Sequence, residues 1–192
     1  MADILLLGPQ GAGKGTQGAL IAEEYGIPHI ATGDMLRRAI AADGDLGRRV
    51  KPIYDSGGLV PDDLMIELIR ERLSADDARE GFVLDGFPRT LAQAEALDDV
   101  LRELGRELGV VFELQLDDEV GRERMLKRAA EEGRADDTPE AIDRRLRLYH
   151  EETEPLIEHY RTRGNLVGIH GDRPIRQVFA EIQQALEQAA VR

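Results

Sequence analysis

The feature that most constrains this sequence is a glycine-rich loop that follows a short apolar run near the N-terminus. Residues 4–7 are all apolar, as expected of a strand buried on both faces of a sheet. A helix is predicted from Gly15 to Tyr25, and the loop between the two reads Gly8-Pro9-Gln10-Gly11-Ala12-Gly13-Lys14-Gly15-Thr16. The spacing G-x-x-x-x-G-K between a strand and a helix is typical of a loop that binds phosphate through its backbone N–H groups and its lysine.

The residue after the lysine departs from the general form of this motif. A Ser or Thr usually follows directly, whereas here Gly15 intervenes and the hydroxyl arrives at Thr16. This spacing indicates a particular branch of nucleoside triphosphate enzymes. Switch GTPases are excluded, because their guanine-reading motif begins Asn-Lys and the only asparagine, Asn165, is followed by Leu166.

Short apolar segments alternate with helical patterns along the rest of the chain. Further strands are predicted over residues 28–31, 82–84, 110–116 and 166–169. Strands that alternate with helices favour an α/β fold with a parallel sheet. The second and third of these strands are separated by about fifty residues with helical patterning only, which predicts a small helical insertion.

The C-terminal half contains one polar interruption and two predicted helices. The polar stretch over residues 131–137 ends at Thr138-Pro139, an N-cap residue followed by proline at the first helical position. One long helix is expected from this point through Ile157, and a last helix over residues 174–189.

Composition and charge exclude several classes of protein. The 192 residues suit one globular domain, and the absence of cysteine excludes disulfides, thiol catalysis and a four-cysteine zinc site. A net charge of −13 opposes binding to nucleic acid or to an anionic membrane. The N-terminus has no basic segment, and its apolar run is too short for a signal peptide or a membrane span. We therefore expect a cytoplasmic protein with no nucleic-acid or membrane partner.

Motifs spread over almost the whole chain resemble those of the adenylate kinase family. They are the loop GPQGAGKGT at 8–16, TGDMLR at 32–37, LVPD at 59–62, DGFPRT at 85–90 with Gln93, the arginines Arg124 and Arg128, GRADD at 133–137, and Arg144-Arg145. Each string is short, so the resemblance rests on their joint order and spacing. It implies a P-loop kinase that transfers a phosphoryl group reversibly from ATP to AMP, giving two ADP, with Mg²⁺ and without zinc. It also implies a monomer and a three-layer α/β/α fold, in which helices flank a five-stranded parallel sheet of strand order 2-3-1-4-5.

The same resemblance assigns roles to individual residues. The residues expected to bind ATP are Gly11, Ala12, Gly13, Lys14, Gly15, Thr16, Arg124, Arg128, Gly171 and Arg173. The residues expected to bind AMP are Thr32, Arg37, Gly58, Leu59, Val60, Gly86, Phe87, Pro88, Arg89, Gln93, Arg134 and Arg145. The residues expected to be catalytic are Lys14, Arg89, Arg124, Arg134 and Arg145. Asp85, at the end of an apolar strand, is expected to hold Mg²⁺ through water.

Within a single kinase domain over 1–192, the resemblance implies two segments that close over the substrates. Residues 31–60 are the expected monophosphate-binding insertion, and residues 129–137 are the expected short lid. Closure serves a kinase because it keeps water away from the transferring phosphoryl group. Arginines suit this chemistry, since phosphoryl transfer depends on positioning and charge stabilisation and needs no nucleophilic side chain.

Several of these residues also have plain structural interpretations. Arg89 and Arg134 are compatible with exposed surface charge, and Arg144 competes with Arg145 for the role in the site. Arg124 and Arg128 share a helix face and have Glu119 and Glu123 as possible partners. Thr32 is also a candidate N-cap, and Gln93 fits a capping box with Thr90. The histidines, scattered without ligand spacing, are interpreted as structural or exposed: His29, His150, His159 and His170.

Three functional alternatives remain open. A UMP or CMP kinase shares the loop and the arginines, so that only Thr32, Val60 and Gln93 discriminate the acceptor base. A switch or binding module uses the loop without transferring a phosphoryl group. An ATPase releases phosphate without an acceptor.

Overall fold

Five parallel strands form one sheet in the order β2-β3-β1-β4-β5. The computed structural model describes residues 3–134 and 136–190 of the chain, so Ala135, in the expected lid, lies outside the described residues. The strands are β1 (Asp3–Leu7), β2 (His29–Ala31), β3 (Phe82–Asp85), β4 (Val110–Gln115) and β5 (Leu166–His170). The predicted fold class and strand order are confirmed, and each strand lies within one residue of its predicted bounds.

Helices occupy the segments between the strands. They are α1 (Lys14–Tyr25), α2 (Thr32–Ala41), α3 (Asp45–Asp55), α4 (Asp62–Leu73), α5 (Leu91–Glu103), α6 (Asp118–Glu132), α7 (Pro139–Leu148), α8 (Pro155–Arg163) and α9 (Ile175–Ala190). A 3₁₀ turn over Asp76–Ala78 precedes β3, and a π-helical turn over Tyr149–Thr153 separates α7 from α8. In the described part of the chain, no helix is long and apolar enough to cross a membrane.

The central strand β1 is buried along its whole length and divides the core into two halves. Leu5 contributes to the half that contains Leu97 of α5. Ile4 points to the opposite face, where it joins Ile21 of α1 and Ile182 of α9. This alternation follows from the two-residue period of a strand. It explains why the first apolar run has no polar position.

The prediction of one long helix after Pro139 is wrong. The α-helix stops at Leu148, and the backbone N–H of Glu154 donates to the carbonyl of Tyr149, five residues back, at 2.8 Å. Pro155 explains the change, because its ring has no N–H to donate and would clash with the carbonyl four residues earlier in a regular α-helix. At the start of α8 the same proline is well tolerated.

The carboxyl ends of three adjacent strands lead into the motifs picked out by the sequence. Residues 8–13 follow β1, Thr32 follows β2, and Gly86 follows β3. In open α/β sheets, ligands bind in the crevice outside the carboxyl ends of the strands, where the strand order reverses. The order found here places that reversal between β1 and β3.

Candidate active site

The loop after β1 needs glycine where it passes close to other main chain. At Gly8, with φ of +138°, an added Cβ would lie 2.4 Å from the carbonyl oxygen of Leu114. At Gly11, with φ of +82°, it would lie 2.6 Å from the carbonyl oxygen of Gly121 in α6. Helix α1 then begins at Lys14 with no side-chain cap and no acidic residue in its first turn. Its first N–H groups and its partial positive charge therefore favour an anion.

One cavity of about 940 Å³ lies in front of this loop. It brings together most of the residues singled out by sequence, namely Gly11, Ala12, Gly13, Lys14, Gly15, Thr16, Thr32, Arg37, Gly58, Leu59, Val60, Asp85, Gly86, Arg89, Gln93, Arg124, Arg128, Arg134, Arg145, Gly171 and Arg173. Two of the expected residues do not line it. The side chain of Phe87 is buried in the core, and Pro88 lines a smaller adjoining pocket.

Lys14 lies at the centre of the loop with its ammonium group turned onto main-chain carbonyls. Its Nζ donates to the carbonyls of Gly8 and Pro9, both at 2.8 Å. Burial lowers the pKa of Lys14 to about 8, against the opposing effect of Asp85 and with help from Arg89 and Arg128. Because burial is the largest cause, an anionic ligand next to the ammonium group would stabilise its charged form.

Arg89 faces the cavity without a carboxylate partner among the described residues. Its Nε donates to the carbonyl of Gly86 at 2.9 Å, and within residues 3–134 and 136–190 no hydrogen bond or ion pair occupies the terminal nitrogens. Burial lowers the pKa of the Arg89 guanidinium, and the neighbouring charge of Arg145 adds to that effect, while Asp85 opposes it. Because a half-buried guanidinium is costly without an anion, this arginine fits a phosphate better than bulk water.

Arg124 and Arg128 line the cavity from α6. Arg124 donates to the carbonyls of Gly11 at 3.2 Å and Gly171 at 3.0 Å, so it joins the phosphate loop to the turn after β5. Arg128 pairs with the buried Asp137 at 2.6 Å. The alternative that they pair with Glu119 and Glu123 is wrong for the described residues.

Arg145, and not Arg144, enters the cavity. Its guanidinium pairs with Asp136 at 2.9 Å and with Asp137 at 2.5 Å, and its side chain is only 9% exposed. Arg144 instead donates to the Ser56 hydroxyl and is absent from the cavity lining. Arg134 also lines the cavity, and it donates to Glu132 at 2.6 Å. The acidic residues of the 131–137 stretch thus hold the arginines in place.

The hydroxyl of Thr32 and the amide of Gln93 both line the cavity and both have protein partners. Thr32 is the first residue of α2, whose N-cap is Ala31, so the predicted N-cap role is wrong. Its hydroxyl donates to the Asp85 carbonyl at 3.3 Å. Gln93 accepts from the Arg89 N–H at 2.8 Å and donates to Asp62 at 2.7 Å.

The predicted capping box is therefore half formed. The hydroxyl of Thr90 caps α5 by accepting from the Gln93 N–H at 3.2 Å. The Gln93 side chain, however, serves the N–H of Arg89 rather than that of Thr90. This orients the amide, because its oxygen must face an N–H and its nitrogen must face a carboxylate.

The sequence analysis assigned no functional role to some residues of the site. Tyr54 accepts from Arg37 at 2.6 Å and lies beneath the Arg145 guanidinium, 5.5 Å from the ring centroid. His29 lines the cavity with its Nε2 3.7 Å from Asp85, and among the described residues this nitrogen has no hydrogen-bond partner. Asp136 lines the cavity as a counter-ion. Asp136 belongs to the GRADD motif at 133–137, but the motif assigned no role to it, and Tyr54 and His29 lie outside the motifs.

Comparison with known proteins agrees with this geometry. A sequence model of the family described as Adenylate kinase matches residues 6–165. An adenylate kinase of Cyanothece sp. is 46% identical over 188 residues, covering 98% of this chain and 96% of that protein. Those of Hyphomonas neptunium and Leifsonia xyli are 47% and 48% identical over 188 residues, covering 100% and 94% of the respective proteins. The chain belongs to the adenylate kinase family. It is therefore a nucleoside monophosphate kinase, a phosphotransferase.

Adenylate kinases use Mg²⁺ with ATP, and Asp85 fits that requirement. Its carboxylate ends β3 beside the phosphate loop, is 14% exposed, and pairs with no lysine or arginine among the described residues. Mg²⁺ retains waters and is bound by one or two carboxylates together with substrate phosphates. The described residues contain no group of three His, Cys, Asp or Glu side chains that could hold a metal by themselves. A single carboxylate next to a phosphate site suits a metal that arrives with its nucleotide.

The depressed pKa of Lys14 predicts a pH dependence of stability. Below pH 8 the folded chain carries the cost of burying a charged ammonium group. Between about 8 and the ordinary value of 10.5, the unfolded chain binds more protons at this position, so stability rises with pH through that interval. We expect the free energy of unfolding of the wild-type chain to rise relative to that of Lys14→Met over this range.

The measurement is urea unfolding of the ligand-free proteins at a series of pH values. Lys127→Met is the control, because the Lys127 side chain is 75% exposed, and it should follow the wild type. Parallel wild-type and Lys14→Met curves between pH 8 and 10.5 would contradict the assignment.

Proposed function

We propose that the two ends of the cavity bind the two substrates of the adenylate kinase reaction, in which a phosphoryl group passes reversibly from ATP to AMP and yields two ADP. This is the reaction of the family to which the chain belongs. The observation that carries the placement of the substrates is Arg89, a half-buried guanidinium that faces the cavity opposite the phosphate loop and has no carboxylate partner among the described residues. A second anion site is what separates a kinase from a simple nucleotide-binding module.

The donor end is built on the phosphate loop. The N–H groups of residues 11–16 and the ammonium group of Lys14 bind the phosphates of ATP, with Mg²⁺ held by Asp85 through water. Arg124 and Arg128 flank the phosphates. Gly171 and Arg173 border the adenine. This placement is supported by the bonds of Arg124, which tie Gly171 to the loop.

The acceptor end is built around β2, β3 and the segment between them. Arg37 and Arg89 bind the phosphate of AMP. Thr32 and Gln93 face the adenine, and residues 58–60 and 86–88 supply main-chain surface. Support comes from the shared cavity lining and from the orientation of Gln93, whose amide retains one N–H and one lone pair beyond its protein partners.

Phosphoryl transfer, where the donor and acceptor ends of the cavity meet, depends on the stabilisation of charge. A phosphate oxygen of AMP attacks the terminal phosphorus of ATP, the bond to the leaving ADP breaks, and the attacking oxygen is already anionic. No side chain has to accept a proton. Lys14, Arg89, Arg124, Arg134 and Arg145 stabilise the charge that spreads over the transferring group, which is the main catalytic requirement of phosphoryl transfer.

The assignment to AMP rather than to UMP or CMP is tested by comparing acceptors. With ATP as donor, we expect AMP to give a kcat/KM at least tenfold above those of CMP, UMP and GMP, because one misplaced hydrogen bond to a base costs about tenfold or more. ADP formation in a coupled assay is the measurement. A higher kcat/KM with CMP or UMP would overturn the assignment, and phosphate release without any acceptor would indicate an ATPase.

We also propose that residues 31–60 and the short lid, over 129–134 and 136–137, close over the bound substrates. Residues 129–132 of the lid form the last turn of α6, Gly133 ends that helix in the αL conformation, and the Thr138 cap of α7 follows the lid. Asp136 and Asp137 occupy the donors of Arg145 and Arg128. Phosphate would compete for those donors, so ligand binding would rearrange these ion pairs.

Closure predicts a pattern of protection from proteolysis. ATP and AMP together should slow cleavage within these two segments more than either nucleotide alone, because only both substrates occupy both ends of the cavity. Limited proteolysis with mass spectrometry of the fragments is the measurement, with α9 as an internal reference. Equal cleavage rates with one and with both nucleotides would contradict closure.

For partners and location, we propose a monomeric cytoplasmic enzyme that acts on ATP, AMP and ADP without nucleic acid or membrane. The net charge of −13 supports the proposal that nucleic acid and anionic membranes are not partners, because it repels polyanions. The small anionic substrates are drawn instead to the local cluster of arginines.

A further inference from the structure

The main chain of Arg89 is held on both sides by side chains. Its N–H donates to Oε1 of Gln93, and its carbonyl accepts from Oγ1 of Thr153, both at 2.8 Å. Within the part of the chain that the structure describes, the guanidinium makes only the Nε bond to Gly86. No other hydrogen bond reaches the Arg89 carbonyl among the described residues. The position of this arginine therefore depends on two side chains, one from α5 and one from the π-helical turn.

Thr153 reaches Arg89 from a distant part of the chain. The two residues are 64 positions apart, and Thr153 is the last residue of the π-helical turn over Tyr149–Thr153. Its side chain is buried, with the residue 8% exposed. π-Helical turns occur often at functional sites. Here the turn, imposed by Pro155, brings a buried hydroxyl to the carbonyl of an arginine that faces the substrates.

Thr153 lies behind the site and does not face the substrates. It is absent from the lining of the large cavity, and it lines the small adjoining pocket together with Lys14, Arg89 and Arg145. Of these three residues, Arg89 is the one to which Thr153 is hydrogen-bonded. An effect of Thr153 on the acceptor site is therefore expected to pass through Arg89.

We propose that Thr153 is a positioning residue for the acceptor half of the reaction: its hydroxyl fixes the Arg89 main chain so that the free edge of the guanidinium meets the acceptor phosphate. The inference rests on the proposed function, because it takes Arg89 as the ligand of the AMP phosphate. A displacement of about 1 Å in such a group slows phosphoryl transfer, because a kinase catalyses it largely by positioning the reacting groups.

The test compares variants that differ in the hydroxyl at position 153. Thr153→Ser retains it, whereas Thr153→Ala and Thr153→Val lack it, and Val keeps the volume of the native side chain. We expect Ala and Val to raise the KM for AMP about threefold to tenfold, the range that the loss of one neutral hydrogen bond produces. The KM for ATP should stay within about twofold of wild type, and Ser should resemble wild type in both.

A double-mutant cycle identifies the route of the effect. Arg89→Ala is expected to weaken AMP binding in calorimetry while leaving ATP binding largely intact. Adding Thr153→Val to Arg89→Ala should cause no further loss of AMP affinity, because residues that act through one another are not additive. Thermal unfolding of each variant distinguishes a loss of stability from a loss of positioning. If Thr153→Val does not fold, the comparison of Thr153→Ser with Thr153→Ala still tests the hydroxyl.

Three results would overturn the inference: a KM for AMP that does not depend on the hydroxyl, equal increases in the KM for AMP and ATP, or an additive loss in the Arg89→Ala background. Each is distinguishable from failure of the proposed function. That failure would appear in the wild-type chain, as absence of transfer to AMP, or in Arg89→Ala, as unchanged AMP binding.

Discussion

Unneutralised positive charge at the carboxyl ends of β1 and β3 is the constraint on which the rest of the site depends. Lys14 rests on main-chain carbonyls and Arg89 on one carbonyl, and burial lowers the pKa of both groups. Neither is paired with a carboxylate among the described residues. In a chain with a net charge of −13, these two groups form a local site that attracts nucleotide phosphates.

The surrounding arginines have other protein partners than Lys14 and Arg89 have. Arg128 and Arg145 share the buried Asp137, so a carboxylate from the proposed lid occupies their donors. Arg124 bonds two carbonyls and joins the phosphate loop to the turn after β5. Lys14 and Arg89 thus lie at the ends of the strands, while the carboxylates paired with Arg128 and Arg145 lie in the proposed lid. We propose that closure exchanges these ion pairs and leaves the anion site intact.

The fold was predictable from local pattern, but many contacts of the site were not. Apolar runs marked all five strands, and the glycine loop marked the phosphate site. Apolar spacing from Ile142 to Ile157 continued through Pro155 and concealed the break at the π-helical turn. Whether Arg89 or Arg145 lay on the surface depended on side-chain contacts with Gln93, Thr153 and Asp136, and Thr153 lies 64 positions from Arg89. The family resemblance assigned the roles of the residues. Spacing alone did not, because it allowed the same residue to be a helix cap, an ion-pair partner or a nucleotide ligand.

The most direct measurement is a crystal structure with a bisubstrate ligand in which two adenosines are joined through a polyphosphate. The account predicts a single phosphate chain through the cavity, with one end against the N–H groups of residues 11–16 and Lys14 and the other against the terminal nitrogens of Arg89. Density for the ligand elsewhere, or an Arg89 guanidinium turned towards solvent with the cavity filled, would contradict it.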